Sequence, residues 1–325
     1  MTWPRQAGAR RRKSRRCWPP GKTLLIRQIC PCFAPYAKVC ANLPILSAER
    51  GGIIVISYLN CFGGCMNITP LPVGFGAEID GFDMREADDG TAEQLRAALL
   101  QYGMLVIRGQ SFTPPEQIAA SKLFGSLETF PTMRGQLNGW PEIFRVASRP
   151  EDGHVEVGRY WHSDGSFRED PTPISFWYSE VQSAEGGDTL FTDLQRAYAE
   201  LQPEIQQEFA GLTTAHRNGV VHPLVLRHPK TEVPALYLNI GLTAGVLGYS
   251  PDHSRALMEA VDRHYSRDGA TYRHHWLPGD VVVADNLHVA HKATPITPQT
   301  RRILNRTTIR ADGVIWADGE QKQAA

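Results

Sequence analysis

From Met66 onward, apolar and polar positions alternate in short, regular blocks. Ile68 to Val73 and Ala77 to Ile79 read as strand pieces separated by glycines. Over Thr91 to Tyr102 the period lengthens. Leu95, Leu99 and Leu100 form one apolar stripe, so the spacing predicts a helix capped by Thr91 with Gln94 three residues on and ended by Gly103. Met104 to Ile107 is a short apolar strand closed by Arg108-Gly109, and Thr113-Pro114-Pro115-Glu116 opens a second helix. Beyond Glu142 short strands dominate: Ile143 to Ala147, Ile174 to Ser179, Thr189 to Thr192, Ala235 to Asn239, Thr271 to His275, Val281 to Ala284 and Arg302 to Ile309. Leu224 to Arg227 is a weaker strand because Pro223 and Pro229 fence it. One late helix is predicted, Ser254 to His264. Strands in this number predict a mostly β fold with flanking helices, a double-stranded β-helix or distorted jelly roll of the cupin type. A doubly wound sheet would need strands alternating with helices, which the second half does not supply. No internal repeat is visible.

Charge divides this picture in two. The chain has 325 residues and zero net charge, yet up to Cys65 eleven Lys and Arg face the single acid Glu49, giving +10, and Met66 to Ala325 carries −10. All six cysteines, Cys17, Cys30, Cys32, Cys40, Cys61 and Cys65, fall in the basic part. Residues 66–325 are thus built without disulfides, as expected of a cytoplasmic protein. Residues 1–65 carry no helix or strand pattern, no zinc-finger cysteine spacing, and no signal-peptide core, since Arg27 cuts short Thr23-Leu24-Leu25-Ile26. A basic arm for nucleic acid would lack a folded reader domain. The expectation is a start at Met66, with residues 1–65 a disordered or misassigned extension and nucleic acid not a partner. No apolar run approaches membrane-spanning length.

The second part holds the candidate chemistry. His162 and Asp164 in Trp161-His162-Ser163-Asp164 lie two apart, so on a strand both side chains point into a barrel. Alone, His-x-Asp is weak evidence and is commonly a hydrogen-bonded surface pair. A third ligand comes from Asp285-Asn286-Leu287-His288-Val289-Ala290-His291, where His288 and His291 face opposite sides of an extended segment. His291 is the choice, because Arg302 and Arg306 follow it, with His288 packed or solvent-facing. His222, His228, His274 and His275 take structural or surface roles. Two imidazoles and a carboxylate on one face of a metal leave the opposite positions open, which suits ferrous iron activating oxygen.

Arg302 and Arg306, four apart, share one strand face. Two inward guanidiniums need anions: internal carboxylates, or a dicarboxylate co-substrate and an acidic substrate held through paired hydrogen bonds. Thr189 in Gly186-Gly187-Asp188-Thr189 adds a hydroxyl to the same carboxylate.

These residues stand in an order that resembles the taurine/2,4-dichlorophenoxyacetate dioxygenase family. The matching stretches are Trp161 to Phe167, Gly186 to Phe191, His222-Pro223-Leu224 with His228-Pro229, Ala235 to Asn239, and Asp285-Asn286 leading to His291 and Arg302. The resemblance implies a jelly-roll enzyme using Fe(II), 2-oxoglutarate and O2, with His162, Asp164 and His291 as metal ligands and Thr189 and Arg302 on the distal carboxylate of 2-oxoglutarate. Arg306 matches the position that receives the substrate's acidic group. The chain departs from the taurine enzymes after Phe124-Gly125, where Phe130-Pro131-Thr132-Met133 replaces a His and Tyr that hold taurine. Phe130 and Met133 are expected to line a more apolar substrate pocket. Ala284 and Leu287 stand where many relatives have Trp and Arg.

The activity implied is hydroxylation of a small, anionic organic molecule other than taurine, with release of succinate and CO2. Asp164 argues against halogenation, because the carboxylate fills the position a halide would need. Alternatives are a natural-product oxygenase acting on an amino-acid-derived or isonitrile substrate by hydroxylation or desaturation, and, from another class, a non-catalytic metal-binding jelly roll. A homo-oligomer is compatible with the sequence. Arg134 to Arg159 has the Gly and Pro content of a lid or of a surface connection.

Overall fold

Strand alternation explains the architecture. In the computed structural model, which describes residues 66–130, 135–155, 158–183, 185–297 and 300–317, successive residues of the central strands feed two different cores. Ile174, Phe176 and Tyr178 join Val281, Val283, Leu105 and Ile107 on one face of the major sheet. Trp177, Val282, Ala284, Met104 and Val106 point the other way, into the space between two sheets. Both faces are covered, which is why these segments read as continuous apolar runs.

The major sheet runs in the order Asn67–Pro70, Ala77–Asp80, Met104–Ile107, Val281–Asp285, Ile174–Val181, Ile303–Val314, Trp140–Ala147, Gln136–Leu137. Gly125–Leu127 adds to the Ile303 strand off this path. Pairing is antiparallel except between Ala77–Asp80 and Met104–Ile107. Its outer face carries the helices Asp89–Tyr102 and Pro114–Ser121 through Leu95, Leu99 and Ile118. Opposite its inner face lies a three-stranded sheet, Thr271–His274, Thr189–Asp193 and Val289–Ala293. The helix Pro251–Tyr265 packs behind that sheet on Trp161, Leu194 and Tyr237 through Leu257, Val261 and Tyr265. Two sheets closed on each other with helices outside are the jelly roll expected from the strand count.

Local details differ from expectation in instructive ways. The first long helix begins at Asp89, and Asp88 rather than Thr91 caps it, accepting from the Thr91 N–H at 2.7 Å; a carboxylate one turn earlier outcompetes the hydroxyl for the same free N–H groups. Gly103 ends the helix as expected, at φ 73°. Its missing side chain matters, because a Cβ there would lie 2.7 Å from the His288 ring. The described part of the Arg134 to Arg159 stretch contains the strand Trp140–Ala147, which pairs with the Ile303 strand and places Phe144 opposite Arg306, followed by a loop whose His154 and Gly158 line the cavity described below. The weak strand materialises as Val225–Arg227, paired with Pro234–Leu236 outside the main sheets. The proposed extension and its cysteines lie outside the described residues. Among the described residues no helix is long and apolar enough to cross a membrane.

Candidate active site

The space between the sheets is lined by side chains whose strand parity is set by the cores. Val289 and Phe191 point inward with the inter-sheet cluster; His291, two residues after Val289, and Thr189, two before Phe191, therefore face the same space. Arg306, two after inward-pointing Leu304, does likewise, and so does Ser175, two before Trp177.

His162 and Asp164 arrive differently from expectation. They do not share a strand. His162 forms a single antiparallel bridge with His291, and Asp164 begins a turn completed by Gly165 at φ 69°. A Cβ on Gly165 would lie 2.0 Å from the Thr172 hydroxyl, so this tight turn requires glycine. The three side chains nevertheless meet: one donor atom each from His162, Asp164 and His291 lies within 4.8 Å of the others. The imidazole centroids of His162 and His291 are 4.1 Å apart.

Protonation favours metal binding. Burial, the neighbouring His162 imidazole and the Arg306 guanidinium push the His291 imidazole down to about 3, so it is neutral at physiological pH. Burial likewise lowers His162, whose Nδ1 lies 2.9 Å from the Tyr160 carbonyl and donates to it, leaving Nε2 bare. For Asp164, burial alone would raise the carboxyl, but the Arg306 guanidinium beside it, with the Ser175 hydroxyl, outweighs burial and holds the group well below the usual carboxylate range. Its Oδ1 accepts from Arg306 at 2.8 Å and its Oδ2 from the Ser175 hydroxyl at 2.7 Å. Two neutral imidazoles beside an ionised carboxylate are a donor set that fits Fe(II).

Next to this triad is a cavity of about 210 Å³ lined by Phe144, Trp177, Thr189, Leu304, Arg302 and Arg306 among others. Arg302 sits just before the strand, with Gly187 at φ 78° packed against its stem, where a Cβ would come 3.0 Å from Cδ. Among the described residues its Nε is buried without a partner, and burial pulls the guanidinium down to about 10. A buried cation with unfilled donors calls for an anion. Thr189 lines the same cavity. Its Oγ accepts from the Trp276 indole at 3.0 Å, so its own proton is free to be given away. Arg306 already has an internal anion in Asp164, and its guanidinium lies 5.0 Å over the Phe144 ring.

His154 lines the cavity, and the histidines expected in structural or surface roles lie away from the triad. His288 packs 3.5 Å from Asp193, away from the triad, because the chain turns between Asn286 and His288 instead of remaining extended. His222 meets the Ser166 carbonyl, His228 pairs with Asp285, His274 is buried beside Asp280, and His275 is on the surface beside Asp188. Phe130 is one layer behind the position foreseen for it: it meets the edge of Phe144, and Phe144 lines the cavity. Met133 lies outside the described residues. Sequence reasoning missed Ser175, Trp276 and the role of Phe144. Strand parity from Trp177 and Leu304 signals the inward direction of the first, and nothing local signals the others. Ala284 and Leu287 are buried, the first between the sheets and the second in the core cluster that includes Trp161.

Comparison with known proteins adds the family. Residues 67–308 match the family described as "Taurine catabolism dioxygenase TauD, TfdA family". The pentalenolactone F synthase of Streptomyces arenae is 30% identical over 281 residues, 74% of this chain and 94% of the relative. The 2,4-dichlorophenoxyacetate dioxygenase of Cupriavidus pinatubonensis is 30% identical over 283 residues, 76% of this chain and 98% of the relative. A crystal structure of a taurine dioxygenase from Burkholderia xenovorans superposes with a TM-score of 0.68 at 30% identity, covering 79% of this chain and 93% of that one. A triad fit for iron, the jelly roll around it and a match spanning both lead to one conclusion: the chain belongs to the TauD/TfdA family and is an Fe(II)- and 2-oxoglutarate-dependent dioxygenase.

Proposed function

We propose that the protein hydroxylates a small organic anion with an apolar body, releasing succinate and CO2, and that taurine is not its substrate. In this reading His162, Asp164 and His291 hold the iron, Arg302 and Thr189 hold the distal carboxylate of 2-oxoglutarate, and Arg306 faces the substrate's acidic group. The observation that carries the reading is the meeting of the three donor atoms within 4.8 Å beside two inward arginines. Iron with 2-oxoglutarate and oxygen supplies an oxidant able to take hydrogen from an unactivated carbon. The remaining work belongs to the side chains. Trp177 and Phe191 pack edge-on and tilted against His291 and keep water from the triad. Arg302 and Thr189 fix one end of the co-substrate through a charged fork and a directed hydroxyl. Phe144, Val146 and Leu304 give the cavity an apolar wall, which favours an aryl or alkyl body over a short aminosulfonate.

A second reading is favoured by one observation. Arg306 already has Asp164 as its anion, and a relative named for pentalenolactone F is as similar as the one named for 2,4-dichlorophenoxyacetate. On this reading the substrate is a natural product bound through its apolar surface and Arg306 serves Asp164 alone.

A succinate-release screen with Fe(II), 2-oxoglutarate and oxygen separates the two. Aryloxy acids, sulfonates and alkyl sulfate esters should stimulate release if the first reading holds. Stimulation confined to neutral polycyclic compounds would establish the second, and no succinate from any condition would sink both. Replacing Arg306 with Ala should weaken use of the anionic substrate far more than use of 2-oxoglutarate; equal loss of both would show that Arg306 acts through Asp164 rather than on the substrate.

A further inference from the structure

We infer that Ser175 and Asn286 are positioning residues for the metal centre, forming with Asp164 a closed, directional ring of hydrogen bonds that fixes the ligand carboxylate before metal arrives. The Asp164 N–H donates to Asn286 Oδ1 at 3.3 Å, Asn286 Nδ2 donates to the Ser175 hydroxyl at 2.9 Å, and that hydroxyl donates to Asp164 Oδ2 at 2.7 Å. Each step forces the next. An amide nitrogen only donates, so the Ser175 oxygen accepts from it and spends its single proton on the carboxylate. With all three bonds made, the carboxylate is held in one rotamer.

Placement makes the ring rigid. Ser175 and Asn286 are fully buried, and Ser175 lies in the middle of the major sheet between Ala284 and Thr308. Asn286 is held by its own N–H to the Pro173 carbonyl. The residue before it is anchored as well. Asp285 accepts from the Leu287 N–H at 2.9 Å and lies 2.8 Å from His228 Nε2. His228 Nδ1 accepts from the N–H groups of Lys230 and Thr231, so its proton sits on Nε2 and points at Asp285. The turn that carries Asn286 is therefore pinned on both sides. Arg306 takes the other carboxylate oxygen, and Asp164 has no freedom to swing away from His162 and His291.

This inference rests on the proposed metal site, and the test keeps the two apart. Mn(II) titration of the full-length, metal-free chain, followed by calorimetry, should give tight binding to the wild type. Ser175→Ala should bind about ten- to a hundredfold more weakly, the usual consequence of losing an outer partner. Ser175→Cys, which restores volume but donates poorly, should remain weak, and Ser175→Ala combined with Asn286→Ala should lose little beyond either alone, since both break one ring. Wild-type affinity in Ser175→Ala, full recovery in Ser175→Cys, or additive losses would each overturn the ring. Absence of Mn(II) binding by the wild type would overturn the metal site and the ring with it.

Discussion

His162 and His291 exchange both backbone hydrogen bonds, His162 N–H to the His291 carbonyl at 3.0 Å and the reverse at 2.8 Å. The main-chain positions of two ligands from distant parts of the chain are thus aligned without help from either imidazole. Truncating one imidazole should therefore leave the scaffold standing. His291→Ala is expected to abolish succinate release and the rise in melting temperature produced by Mn(II). The metal-free protein should melt within about 4 °C of wild type, a change of about 1 kcal/mol. Thermal unfolding with and without Mn(II) checks this, and a collapse of the metal-free fold would mean that the imidazole is structural.

Gly158 lies against the other ligand. A Cβ there would stand 2.1 Å from Cε1 of His162, and its backbone is not in the left-handed region, so alanine brings steric trouble without backbone strain. Gly158→Ala should displace the ring, cost about 1–3 kcal/mol of stability and reduce succinate release at saturating iron and 2-oxoglutarate by at least about tenfold, a barrier change of roughly 1.4 kcal/mol. Unchanged turnover would place the His162 ring elsewhere in the working enzyme.

Acid should unfold the metal-free protein in part through His291. Its imidazole titrates near 3 when folded and near 6.5 when unfolded. Above 6.5 both states are neutral and the residue contributes nothing to the pH dependence. As pH falls from 6.5 towards 3 the unfolded state takes up a proton that the folded state refuses, so stability falls by up to about 1.4 kcal/mol per pH unit. Denaturant titrations between about pH 7 and 4 should show a shallower decline for His291→Asn than for wild type. Parallel slopes would show that the imidazole is not held neutral in the fold.

What the sequence discloses follows the range of the forces involved. Alternation reports which way a side chain points, so Arg302 and Arg306 can be placed on one strand face from the pattern alone. Short-range competition is harder to read: Asp88 and Thr91 both suit a helix cap, and only geometry decides between them. The segment carrying His162 and Asp164 contains no strand pattern, because its direction comes from a single bridge to a residue 129 positions later. Phe130 falls one layer back for the same kind of reason. Its neighbours on the Trp140–Ala147 strand decide which aromatic ring faces the cavity, and Phe144 takes that position. Ser175 looks like any strand serine until Asp164 and Asn286 are brought to it.

The anion end of the cavity gives the last prediction. Arg302 brings a full charge and a planar fork, and Thr189 brings one hydroxyl whose direction is set by Trp276. If both serve 2-oxoglutarate, their losses rank by chemistry. Arg302→Lys keeps the charge but loses the fork, and the loss of about 2 kcal/mol expected for a charged hydrogen bond corresponds to roughly a thirtyfold rise in KM for 2-oxoglutarate. Trp276→Phe leaves the hydroxyl in place but lets it rotate, costing about 1 kcal/mol, or roughly fivefold. Thr189→Val should match or exceed Trp276→Phe in KM and also lower stability, because it strands the buried indole N–H. Steady-state kinetics with 2-oxoglutarate varied at fixed substrate reads all three. A Trp276→Phe enzyme with unchanged KM, or an Arg302→Lys enzyme less affected than it, would remove Thr189 and Arg302 from the co-substrate site.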